Sequence, residues 1–83
     1  MTYQVGWAIP ALDTAAGFLR DDRDGLAVMM DGIDDLALDP RPDSSIGLGS
    51  DTLRRLRVGR YRVMYEIDDQ AATVTVIHVG RIG

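Results

Sequence analysis

The sequence predicts an α+β domain in the order β-α-α-β-β-β, a helical hairpin packed on one face of a small, twisted, mostly antiparallel sheet. Three observations predict it. From Leu53 to Val79 apolar and polar residues alternate in three successive runs, the period of strands. Between Leu12 and Ala37 the apolar residues recur instead at spacings of three and four, the period of helices. Tyr3 to Trp7 alternates again ahead of that helical region. With 83 residues and 46% hydrophobic content, the chain is expected to form one domain, 1–83, around a modest core.

Taken in order, Tyr3-Gln-Val-Gly-Trp7 is the first strand. Pro10 suits the first turn of a helix whose buried face is expected to be Leu12, Ala15, Ala16 and Leu19. Asp21, Asp22 or Asp24 can cap a second helix with the stripe Leu26, Met29, Met30, Ile33, Leu36 and Ala37. Gly17, Gly25 and Gly32 each weaken these helices by roughly 1 kcal/mol relative to alanine, so the hairpin depends on the sheet beneath it. Asp39-Pro-Arg-Pro42 ends the second helix. The segment onward to Asp51, rich in Gly, Ser and Asp, reads as a long mobile loop. Trp7, Phe18, Met29 and Met30 read as core.

The last three strands carry the chemistry. If Gly59-Arg60 is a two-residue hairpin loop, Val58 faces Tyr61, Leu56 faces Val63 and Arg54 faces Tyr65 on one side of the sheet. The other side pairs Arg57 with Arg62 and Arg55 with Met64, with Arg60 at the turn beside them. Like charges opposed across two strands repel, by a few tenths of a kcal/mol or more. A sheet that tolerates this has an anion to hold there, since guanidinium groups bind phosphate and carboxylate bidentately. The competing expectation is a solvated face neutralised by Glu66 and the loop aspartates. A four-residue loop Asp69 to Ala72 pairs Tyr65 with Val76 and Val63 with His78, which puts His78 on the apolar side; an odd loop length turns it to the arginine side.

Composition narrows the classes. There is no cysteine, hence no disulfide and no thiolate metal site, and a single histidine disfavours a histidine-based one. No apolar run reaches membrane-spanning length, and a cytoplasmic protein is the default expectation. The net charge of −4 argues against diffuse nucleic-acid binding. Yet five of the nine arginines lie between Arg54 and Arg62, while the acids cluster elsewhere, so a local basic patch survives an acidic total. No phosphate loop or nucleophile–base pair stands out.

The run Leu53-Arg-Arg-Leu-Arg-Val-Gly-Arg-Tyr-Arg-Val-Met-Tyr-Glu-Ile-Asp68, leading into Thr73-Val-Thr-Val-Ile-His-Val-Gly80, resembles the RelE/ParE superfamily of bacterial toxins from type II toxin–antitoxin modules. Tyr3 to Trp7 and Leu36-Ala-Leu-Asp-Pro-Arg-Pro42 extend the resemblance to nearly the whole chain. It implies a RelE-like fold and one of two activities. Members of the RelE branch are mRNA interferases, ribosome-dependent endoribonucleases that cleave mRNA with sheet-borne basic residues and no metal or other cofactor. Members of the ParE branch poison DNA gyrase. Both are neutralised by a cognate antitoxin, in modules associated with plasmid stabilisation.

Carried over by position, Arg62 matches a residue implicated in catalysis, and Arg55 and Arg57 match strand positions that contact RNA phosphate; Arg60 stands beside them. Arg81 and His78 are the remaining groups that could assist the chemistry. The resemblance departs at the C-terminal end. Family ribonucleases carry further basic residues and a catalytic tyrosine or histidine after the Val-Gly motif, whereas here only Arg81 follows, and Ile82 stands where a second catalytic arginine often appears. Family toxins are also usually basic. A C-terminally short toxin that only binds its antitoxin is therefore the non-enzymatic alternative, alongside a gyrase inhibitor.

Overall fold

The computed structural model describes residues 2–82. Its elements are β1 (Gln4–Trp7), α1 (Ile9–Phe18), α2 (Arg23–Asp34) with a 3₁₀ turn (Asp35–Ala37), β2 (Ser45–Gly47), β3 (Leu53–Val58), β4 (Tyr61–Asp68) and β5 (Thr73–Arg81). The strands form one sheet in the order β1-β5-β4-β3-β2. All neighbours are antiparallel except β1, which lies parallel to β5 with Val5 beside Val74 and Trp7 beside Val76. The α+β class and the helical hairpin on one face are as the sequence predicts.

The core lies between the two layers. Leu56, Tyr61, Val63, Tyr65, Ile67, Val74, Val76 and Val79 point from the sheet at Ala11, Ala15, Leu26, Met29, Ile33 and Leu36. Met29 and Ile33 are fully buried, as the stripe on α2 requires. The stripe expected on α1 is different. Leu12 and Leu19 are each 51% exposed and Ala16 is exposed too; Ala15 faces inward as expected, with Ala11 beside it in place of the others. Alanine on the contact face lets the α1 backbone approach β5 closely, and the larger side chains then rotate outward.

Asp22 is the α2 N-cap; its Oδ1 accepts the Gly25 amide at 3.1 Å. Gly25 therefore has a local reason beyond helix propensity, because a Cβ there would run into the Asp22 carboxylate. The β3–β4 turn has Gly59 at φ +57°, the positive φ that a primed two-residue hairpin turn needs at its first central position. The resulting register pairs Val58 with Tyr61, Arg57 with Arg62 and Arg55 with Met64.

Two expectations are corrected. The segment Asp39 to Asp51 is not a free loop: it contains β2, whose Ile46 pairs with Arg55. It is also tied down by Tyr65 Oη donating to Pro40 O at 2.6 Å and by Arg41, which bonds Asp69 and Asp51. A three-residue strand next to two glycines carries too little periodicity to be read from sequence. The second correction concerns β5. Tyr65 pairs with Val76 as expected, but Met64 pairs with His78 and Val63 with Val79, so Ile77 is the extra residue of a β-bulge. The bulge turns His78 from the expected apolar side to the outer face. No helix among the described residues is long and apolar enough to cross a membrane.

Candidate functional site

The outer face of the sheet, away from the helices, is built by alternate residues of β3, β4 and β5. One row across it reads Ile46, Arg55, Met64, His78; the next reads Arg57, Arg62, Gly80. Neighbouring strands are about 4.8 Å apart, so Arg57 and Arg62 emerge side by side. Arg55 and Arg57 are exposed and Arg62 is half-buried. His78 is exposed, and its Nε2 lies 3.6 Å from where a Cβ on Gly80 would sit. The imidazole thus leans over the glycine, which leaves no side chain beside Arg62 in that row.

Whether this face is neutralised internally is decided by the ion pairs. Arg41 pairs with Asp51 and Asp69, Arg54 with Asp51, Arg60 with Asp22 and Arg81 with Asp21. Among the described residues Arg55, Arg57 and Arg62 make no ion pair, and Glu66 does not reach them. Arg62 is instead positioned by the turn: its Nη1 donates to Gly59 O and Tyr61 O, both at 2.9 Å. These carbonyls hold one nitrogen and leave the others of the fork to an external anion. A groove of about 460 Å³ runs along this patch, lined by Asp43, Ser44, Ile46, Arg55, Arg57, Gly59 and Arg62.

Two of the sequence-derived site residues lie elsewhere. Arg60 reaches back to the helix layer, its Nη2 3.2 Å from Asp22 Oδ2. Arg81 pairs with Tyr61 in register and so lies on the helix side of the sheet. There its guanidinium sits 4.7 Å from the Phe18 ring centroid and donates to Asp21 Oδ2 at 2.8 Å. The hydrogen bond from Arg81 holds the Asp21 carboxyl below its ordinary value, and the one from the Tyr61 phenol does the same for Asp22. Burial and the Asp22 carboxylate together raise the Tyr61 phenol. These groups form a structural cluster where α1 ends and α2 begins. The structure therefore brings Arg55, Arg57, Arg62 and His78 together and separates Arg60 and Arg81 from them.

Sequence reasoning placed Met64 on this face but missed Ser44 and Asp43 on the rim and Ile46 as further apolar surface within the arginine rows. The bulge had a signal: buried valines at 74, 76 and 79 break the period of two between the last two. Among the described residues no group of three or more His, Cys, Asp or Glu side chains could share a metal ion.

Residues 22–81 match the family model described as the ParE toxin of the type II toxin–antitoxin system parDE. The fold matches RelE in the RelE–RelB complex from Pyrococcus horikoshii with a TM-score of 0.84 and 22% identity, covering 100% of this chain and 98% of that one. It matches the RelBE2 toxin–antitoxin complex from Mycobacterium tuberculosis with a TM-score of 0.82 and 24% identity, covering 99% and 100%. A YoeB/ParE toxin from Agrobacterium tumefaciens follows at 0.78 and 16% identity, covering 96% and 99%. No curated protein matches in sequence.

Proposed function

Because the chain belongs to the ParE toxin family of type II toxin–antitoxin systems, within the RelE/ParE superfamily, we propose that it acts by gripping RNA phosphate on the outer face of its sheet and cleaving the strand, and that a cognate antitoxin holds it inactive. The observation that carries this reading is the cluster of Arg55, Arg57 and Arg62, which no acid among the described residues pairs with, beside an exposed His78.

In this reading Arg57 and Arg62 clasp the non-bridging oxygens of one phosphodiester, where charge grows as the transition state forms. Arg55 takes a neighbouring phosphate, and Met64 and Ile46 offer apolar surface to a base. His78, when neutral, accepts the 2′-hydroxyl proton as the 2′ oxygen attacks phosphorus. The bond from phosphorus to the 5′ oxygen breaks, leaving a 2′,3′-cyclic phosphate, and the 5′ oxygen takes its proton from water. Only one of the two proton transfers is assisted by the protein. Such a site works slowly unless its substrate is held for it, which suits mRNA presented by the ribosome.

Expression of the wild-type chain should arrest growth and leave cuts in translated mRNA. Arg62→Ala should lower cleavage on the order of a hundredfold, as loss of a transition-state charge partner does, and should relieve the arrest. If the two chains are equally harmless, the cleavage reading is wrong.

A second reading is inhibition of DNA gyrase. It is favoured by the match to a ParE toxin model and by Arg81, which is engaged with Asp21 on the helix side. Under it, purified chain lowers supercoiling by gyrase and leaves mRNA intact.

A further inference from the structure

The outer face of the sheet is basic over only half its length. Beyond the two arginine rows lie two more: Leu53, Glu66, Thr75 and Gly6, and then Asp68, Thr73 and Gln4. Neither of these rows holds a cation. Glu66 and Asp68 are both exposed, and neither is in an ion pair among the described residues. Asp68 Oδ1 accepts the Ala71 amide at 3.0 Å, which fixes that carboxylate at the end of the strand. Along β4 the outward side chains therefore read Arg62, Met64, Glu66, Asp68, positive at one end and negative at the other. Successive rows are about 7 Å apart, since each residue advances a strand by about 3.4 Å. Charges are screened over about 8 Å at physiological salt. Glu66 thus acts on an anion held at the row of Arg55 and Met64, and Asp68 on one placed a row further along.

We propose that Glu66 and Asp68 are specificity-determining residues: they keep the RNA backbone off the acidic half of the face and confine binding to a short single-stranded stretch that bends away from the sheet after the Arg55 row. The inference rests on the RNA reading given above. A strand laid straight along β4 carries its phosphates from guanidinium to carboxylate within one row. No cation among the described residues of the two acidic rows offsets that repulsion. Only a strand that leaves the sheet escapes it. The site therefore accepts RNA whose path is bent before it arrives, and discriminates against an extended strand that bears the same bases.

The test uses 2′-O-methyl RNA, which lacks the attacking hydroxyl, as a trinucleotide and as an octanucleotide, and measures the affinity of the purified chain by NMR titration. The double variant Glu66→Gln, Asp68→Asn should bind the octanucleotide about fivefold tighter than wild type does, and the trinucleotide within about twofold. Asp31→Asn, Asp35→Asn makes the same change in net charge on the helix layer, where both acids are exposed, and should leave both affinities near those of wild type. Equal gains for the two RNAs, or equal gains from the two double variants, mean a general effect of charge and overturn the inference, as does no gain at all. Arg62→Ala separates it from the reading beneath, and should weaken binding of both RNAs. If wild type binds neither RNA, or binds both as Arg62→Ala does, the RNA reading falls and takes this inference with it.

Discussion

Asp22 shows how much one side chain can decide in a small domain. Its carboxylate caps α2 at the Gly25 amide, accepts the Tyr61 phenol at 2.8 Å and pairs with Arg60 at 3.2 Å. It thereby joins the start of the helix layer to the turn that presents Arg57 and Arg62. Asp22→Ala should lower Tm by about 5 °C or more, since a lost N-cap alone accounts for roughly that in a domain of this size. Asp22→Asn, which keeps the acceptor, should lower it less; equal losses in a thermal melt would mean that charge rather than capping is the dominant contribution. Two neighbouring acids thus differ in use: Asp21 fastens Arg81, and Asp22 fastens the helix.

At the scale of elements the bulge in β5 matters most. Alternation in the sequence was enough to read β3 and β4 residue by residue, because a two-residue turn fixes register and every pair then follows. It was enough to place Arg55, Arg57 and Arg62 on one face. It misplaced His78, because an inserted residue resets the alternation without altering the composition of the strand. It misread α1 for a related reason: Leu12, Ala15, Ala16 and Leu19 and the observed Ala11 and Ala15 are neighbouring helical faces, and closeness of approach to β5 selected the smaller one. The position of β1 beside β5 could not be read at all, since it depends on pairing across nearly the whole chain. Deleting Ile77 should be tolerated: His78 would still face Met64 and Val79 would still face Val63, now in a regular ladder. Deleting Thr75 should not be, because it moves Val74 out of the core. Circular dichroism melts of the two deletions check this, with cooperative unfolding expected only for the first.

The whole molecule is acidic, and its carboxylates set the pH range in which it stays folded. Hydrogen bonds from Arg81, Tyr61 and Arg41 hold Asp21, Asp22 and Asp69 respectively below the ordinary 3.8. As pH falls through the interval below that value, the unfolded chain takes up protons first and stability declines. Tyr61, raised by burial first, and Tyr3, raised by its bond to Asp69, act at the other end. Above their ordinary 10.0 the unfolded chain loses protons first, and stability declines again. Tm should therefore be flat between about pH 5 and pH 9 and fall on either side; a Tm unchanged down to pH 2 would remove these pairs as the cause. The strand order has a consequence for biosynthesis. The first strand made must wait for the last, because Gln4–Trp7 has no partner in the sheet until Thr73–Val76 exists. A polypeptide emerging N-terminus first cannot close such a sheet until its fifth strand has been made. The sheet therefore closes only after every other strand in it has been synthesised.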